Sequence, residues 1–138
     1  MGCLTGPAMR LLVDTHVWLQ WLNEPDRLNA DATALLADRD NTVYLSAASV
    51  WEIVIKYGLG KLTLPAAPEK FIPQAMAEDG LAGLAIEHAH VLRVGHLPLH
   101  HRDPFDRVLI AQAQVEALPL LTADPLFDPY EVTVLKAH

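Results

Sequence analysis

The segment from His100 to Asp124 constrains this chain more than any other, because prolines fix both ends of one helix and a strand must follow at once. Asp103 is suited to cap that helix and Pro104 to take its first position, where the missing N–H costs nothing and φ is already set. Phe105, Leu109, Ile110, Ala113 and Ala117 supply an apolar face at helical spacing. Asp106 shares that face with Ile110 and Ala113 at i+4 and i+7, so it looks inward from the first turn. Pro119 ends the helix, Leu120 and Leu121 read as a short buried strand, and Asp124 follows close behind. Two carboxylates therefore leave neighbouring elements close together.

The rest of the chain repeats this alternation. Arg10 to Val13 is a short apolar run followed by Asp14-Thr15-His16 and a helical pattern through Trp18, Leu19 and Leu22. A parallel strand buried on both faces reads this way, and Asp14 then stands at its carboxyl end, where open α/β sheets place ligands. The alternative is that Asp14 merely caps the helix that follows. Asn23 to Asp26 is a turn and Asn29 to Asp38 a polar-faced helix. Thr42 to Leu45 is a second strand, and Ser46 caps a helix from Ala47 to Tyr57 that Gly58 stops. Val50, Trp51, Ile53, Val54, Ile55 and Tyr57 cover nearly the whole circumference of that helix, which predicts burial, yet Glu52 lies among them. A buried carboxylate needs a partner; the alternative is an exposed pair with Lys56 at i+4. A helix over Glu69 to Asp79, a strand at Leu84 to Ile86, a short helix from Glu87 to Val94 and an edge strand at Val132 to Leu135 complete the chain. Such alternation implies right-handed crossovers and a parallel sheet covered on both sides.

At 138 residues and 51% apolar content, the chain fits one domain over residues 9–138, with residues 1–8 read as a leader and Met9 as the start. Cys3 stands alone, so neither a disulfide nor a cysteine zinc site is available, which suits a reducing cytoplasm. No apolar run approaches the roughly 18 residues that span a bilayer, and Arg10 and Asp14 interrupt any signal-peptide core. Gly6 stands where a myristoylation pattern needs Ser or Thr. His88, His90, His96, His100 and His101 invite a zinc site, but without HExxH spacing or a cysteine pair they read as loop and surface histidines.

Asp14 and Asp124 follow strand ends, while Asp106 and Glu52 lie in helices starting near the same carboxyl edge. Four converging carboxylates repel one another, and a divalent cation is the economical reason to gather them. Oxygen ligands without Cys or well-spaced His select Mg²⁺ or Mn²⁺ over zinc. Two such ions about 4 Å apart can activate water and stabilise the leaving oxygen in phosphodiester cleavage. Thr15 or Thr122 would orient a carboxylate or a water from behind the ligands, and Arg102 and Arg107 would contact backbone phosphate. The formal charge of −7 argues at first against nucleic acid. Bound cations would invert the field inside the cleft and remove that objection.

These residues resemble the PIN-domain ribonucleases, and among them the VapC-like toxins of type II toxin–antitoxin pairs. The resemblance runs through Leu12-Val13-Asp14-Thr15, Ser46-Ala47-Ala48-Ser49-Val50-Trp51-Glu52, Gly60-Lys61-Leu62, Asp103-Pro104-Phe105-Asp106-Arg107 and Leu121-Thr122-Ala123-Asp124. It implies a three-layer α/β/α fold with a central parallel sheet, Mg²⁺- or Mn²⁺-dependent RNA cleavage, a homodimer and inhibition by a small cognate antitoxin. Asp14, Glu52, Asp106 and Asp124 fall on the family's acidic positions; Asp103, read first as the cap, is a possible further member. Two other functions fit parts of the pattern. A phosphatase using Asp14 as nucleophile would need a second Asp where His16 stands, and a binding module without activity would not need the full acidic set.

Overall fold

A computed structural model describes residues 8–138; the expected leader, Ala8 apart, and Cys3 lie outside the described residues. Five strands form one sheet: β1 (Arg10–Val13), β2 (Thr42–Ser46), β3 (Ala82–Leu84), β4 (Leu120–Thr122) and β5 (Val134–Lys136). Their order is β3-β2-β1-β4-β5, and every pairing is parallel. Six α-helices connect them: α1 (Thr15–Asn23), α2 (Ala30–Ala37), α3 (Ala47–Gly58), α4 (Pro68–Asp79), α5 (His88–Val94) and α6 (Pro104–Glu116).

Strand periodicity divides the apolar residues between two cores, which makes the fold three-layered. Leu11 and Val13 of β1 and Leu121 of β4 join Val17, Trp18, Ala32, Leu36 and Ile72 on one face. Leu12 and Leu120, one residue out of phase, join Leu109, Ile110, Ala113 and Phe127 on the other. Helices α1, α2 and α4 thus cover one face and α6 the other, as α/β alternation predicts.

Three expectations change. The third strand is Ala82–Leu84 instead of Leu84 to Ile86, because α4 ends at Gly80 in the left-handed conformation (φ 70°) and the chain pairs with β2 almost at once. The last strand begins at Val134, since Val132 still bonds back to Tyr130 in a turn. Helix α3 is not buried all round: Trp51 is 57% exposed, with Val54, Ile55 and Tyr57 also open, while Ala48, Ser49, Glu52 and Ile53 face inward. An apolar circumference shows that a helix can be buried on any side, not which side the neighbours take. Among the described residues, no helix is long and apolar enough to cross a membrane.

Candidate active site

The chain builds outward from β1 to β2 and β3, then returns to the other side of β1 for β4 and β5. The crevice between the carboxyl ends of β1 and β4 is therefore the topological switch point, the usual ligand position in an open α/β sheet. Asp14 leaves β1 there and Asp124 leaves β4. Thr122, the last residue of β4, links them: its Oγ1 donates to Asp14 Oδ2 at 2.8 Å and accepts the Asp124 backbone N–H at 3.0 Å. Asp14 occupies the position before α1 but its side chain makes no cap hydrogen bond, which removes the capping alternative.

Asp106 reaches the crevice from the first turn of α6. Asp103 is the cap expected of it, accepting from the backbone N–H of Phe105 at 2.8 Å and of Asp106 at 3.2 Å. Glu52 comes from α3, is 2% exposed, and binds Lys56 Nζ through Oε2 at 2.8 Å. Glu52 is therefore buried as expected, and the pair with Lys56 forms without being the exposed pair of the alternative: a half-exposed lysine reaches in to one of its oxygens. Thr15, next to Asp14, donates its hydroxyl to Ser49 Oγ at 2.7 Å, tying α1 to α3.

Electrostatics record how close these acids are. The Asp106 carboxyl is pushed up to about 8 from its ordinary 3.8, first by burial and then by the charges of Asp14, Asp103, Glu52 and Asp124. Asp14 is raised too, by burial above all and by Glu52, against the opposing pull of the Thr122 hydrogen bond and His16. Among the described residues, Asp14 Oδ1, Glu52 Oε1 and Asp106 Oδ1 are buried with no hydrogen-bond partner. An unsatisfied buried acceptor costs about 1–3 kcal/mol, more when charged. These oxygens come from three separate elements around one crevice, and carboxylates of this kind suit a hard divalent cation, whose charge would favour their ionised forms; the ligand-capable atoms that lie within 4.8 Å of one another are those of His101, Asp106 and Asp124.

Three residues differ from their expected placement. Arg107 turns away from solvent: Nη1 donates to the carbonyls of Pro98 and His101 at 3.1 and 3.2 Å, and Nη2 to those of Val94 and Leu97 at 3.2 and 3.3 Å. Its fork clamps the loop before α6 and leaves little for a phosphate, whereas Arg102 is exposed. His101, read as a loop or surface histidine, is buried, and its Nε2 lies 3.0 Å from Asp106 Oδ2 and 3.3 Å from Asp124 Oδ2. The signal for it was positional: a residue just ahead of a helix cap lies over the first turn, where Asp106 points. His90 is also fully buried, between α5 and α6.

The PIN domain family model matches residues 11–131. A curated relative, ribonuclease VapC16 of Mycobacterium tuberculosis, is 44% identical over 68 residues, which are 46% of this chain and 48% of the relative. The match thus spans about half the length of that relative. Among solved structures, the VapBC2 complex of Rickettsia felis bound to a promoter DNA fragment superposes with a TM-score of 0.66 at 17% identity, covering 94% of this chain and all of its counterpart. FitAcB of Neisseria gonorrhoeae gives a TM-score of 0.64 at 21% identity over 91% of this chain and 96% of its counterpart. At these identities the superpositions show a shared fold.

Proposed function

The chain belongs to the PIN domain family, and from that premise we propose that it is a Mg²⁺- or Mn²⁺-dependent endoribonuclease, the toxin of a toxin–antitoxin pair. Asp14, Glu52, Asp106 and Asp124 are its metal-binding carboxylates. The observation that carries this reading is the burial of partnerless carboxylate oxygens on Asp14, Glu52 and Asp106 around the switch-point crevice, where Asp106 and Asp124 also bring ligand-capable atoms close together. The relative named a ribonuclease supports RNA as substrate. Neighbours that are toxin–antitoxin complexes support an antitoxin partner.

A divalent cation held by these acids would polarise a phosphoryl oxygen and stabilise the leaving oxygen of the scissile phosphodiester. The protein's own residues fix the geometry. Thr122 holds Asp14 in one rotamer and keeps its second oxygen free, and the Asp103 cap fixes the first turn of α6 and so the direction of Asp106. Asp124 is the most open of the four, with its side chain 34% exposed, and stands where substrate enters. Arg102 is the rim cation suited to a backbone phosphate. Arg107 is left out of RNA binding because carbonyls take its donors.

The partners are an antitoxin and a second copy of the chain. The exposed face of α3, with Trp51, Val54, Ile55 and Tyr57, borders a groove of ≈ 400 Å³ lined by Val50, Pro68, Ile72 and Pro73. Apolar surface of this kind is characteristic of association sites. The test is incubation of the purified protein with a panel of structured and unstructured RNAs. Cleavage with Mg²⁺ or Mn²⁺, none in EDTA and none by Asp106→Asn is expected; full-rate cleavage in EDTA would overturn the metal mechanism. Growth arrest on expression, relieved by a small co-expressed protein, tests the toxin assignment.

A further inference from the structure

His101 carries an inference that rests on the metal-nuclease reading above. Its ring is held on every side. The backbone N–H donates to Tyr130 Oη at 2.7 Å, and the ring stands edge-on to Phe127 with centroids 5.4 Å apart. Nδ1 accepts the backbone N–H of Asp103 at 3.3 Å. A ring nitrogen that accepts carries no proton, so the proton of the neutral imidazole lies on Nε2. Nε2 in turn faces Asp106 Oδ2 and Asp124 Oδ2, 3.0 and 3.3 Å away. One ligand-capable atom from each of His101, Asp106 and Asp124 falls within 4.8 Å of the others.

That grouping resembles a mixed nitrogen and oxygen metal site, but the hydrogen bonding opposes it. A metal-ligating histidine presents a bare nitrogen to the ion and donates its other N–H to an acceptor. Here the far nitrogen faces a donor, so the ring is oriented to give a proton toward the carboxylates. We propose that His101 is an internal stand-in for the cation: its Nε2–H gathers Asp106 and Asp124, and a divalent ion competes with it for the same two oxygens. His101 is then a positioning residue that keeps the acids assembled and sets how tightly a metal is held.

The competition predicts opposite signs from one substitution. His101→Phe keeps a ring against Phe127 and removes the donor; His101→Gln keeps a side-chain N–H that can reach the carboxylates. The measurements are thermal melts in EDTA and Mn²⁺ affinity by calorimetry, with electron spin-echo spectra of bound Mn²⁺. His101→Phe should melt below the wild type in EDTA yet bind Mn²⁺ on the order of tenfold tighter, the equivalent of one charge-assisted hydrogen bond no longer displaced, or about 1.4 kcal/mol. His101→Gln should return both quantities toward wild type. Equal or weaker Mn²⁺ binding by His101→Phe overturns the proposal. So does an imidazole ¹⁴N coupling in wild-type Mn²⁺ spectra that the variant lacks, which would make His101 a ligand. If His101→Phe does not fold in EDTA, recovery of its fold on adding Mn²⁺ supports the stand-in role, and no recovery makes the residue purely structural. A wild type that binds no Mn²⁺ would instead sink the metal-nuclease reading itself.

Discussion

The molecule contains two buried histidines set among carboxylates, and they differ in what is left over. Between α5 and α6, His90 Nδ1 accepts the backbone N–H of Glu87 at 3.0 Å and its Nε2 meets Glu116 Oε2 at 2.9 Å. Glu87 is exposed and Glu116 partly so, and both carboxylates reach water. That cluster is a clasp whose charged groups are satisfied; the one buried oxygen beside it without a partner, Gln112 Oε1, belongs to a neutral amide. At the switch point, His101 Nε2 meets two carboxylates instead of one, further acids stand nearby, and three carboxylate oxygens face no donor. The residue types are nearly the same. What separates the structural clasp from the candidate site is unsatisfied burial of carboxylate oxygens, which costs far more than that of a neutral amide and calls for a further partner.

The largest effect should come from removing charge at the switch point. Asp106→Asn is close to isosteric and keeps the helix cap, so the far-UV circular dichroism should remain native. Cleavage of RNA should nevertheless fall by about a thousandfold or more, as expected when a ligand to a transition-state metal is lost. A gel assay with the wild type alongside checks it, and a variant cutting at near wild-type rate would erase the distinction between the two clusters.

Next in size is the clamp that joins them. Arg107 sits in α6 and its fork holds the carbonyls of residues 94–101, the segment connecting the α5 clasp to His101. Arg107→Met keeps most of the stem and abandons four carbonyls, which should cost about 3 kcal/mol of stability by urea unfolding. If Arg107 instead served RNA, the variant would fold as stably as the wild type and lose affinity with a shallower salt dependence.

Most of the fold could be read from punctuation and period. Asp103-Pro104 and Pro119 bound α6, and the one-residue phase difference between Leu11 and Leu12 separates the two cores. The positions of four acids were legible because Asp14 and Asp124 follow apolar runs, Asp106 shares an inward face and Glu52 lies among apolar neighbours. What could not be read was direction in three dimensions. Trp51 and Glu52 are adjacent in sequence, and composition favours burying the tryptophan; the helix packs the other way, leaving Trp51 against Phe105 at 5.0 Å near the surface. His101 escaped for a related reason, since its role depends on a loop path that Arg107 and Tyr130 determine, and neither lies near it in a periodic pattern.

A smaller effect distinguishes the clusters by pH. The Asp106 carboxyl titrates at about 8 in the folded protein against an ordinary 3.8. Between those values the folded state binds a proton that the unfolded state has released, so stability falls as pH rises through the window. In EDTA the melting temperature should therefore drop by several degrees from pH 5 to pH 8 in excess of the drop shown by Asp106→Asn. Saturating Mg²⁺ should flatten the difference, because binding to the ionised site stabilises the fold by mass action.

The smallest expected change is at the clasp, and it tests the comparison from the other side. His90→Phe fills the same buried space but leaves the Glu87 backbone N–H without its acceptor and frees Glu116. Glu116 can turn to water, so its loss is minor, and one part-buried N–H left unpaired sets the cost at about 1 kcal/mol, or a few degrees of melting temperature. Gln112, whose Nε2 lies 3.5 Å from His90 Nδ1 and also donates to the Ala85 carbonyl, keeps the second of these bonds. Nothing in this exchange alters the oxygens at the switch point. Mn²⁺ affinity and RNA cleavage by His90→Phe should therefore match the wild type, measured on the same preparations used for the melts. A shift in Mn²⁺ affinity comparable to that expected of His101→Phe would mean that the two histidines act through one network along α6, and that satisfied and unsatisfied clusters are not separable in this fold.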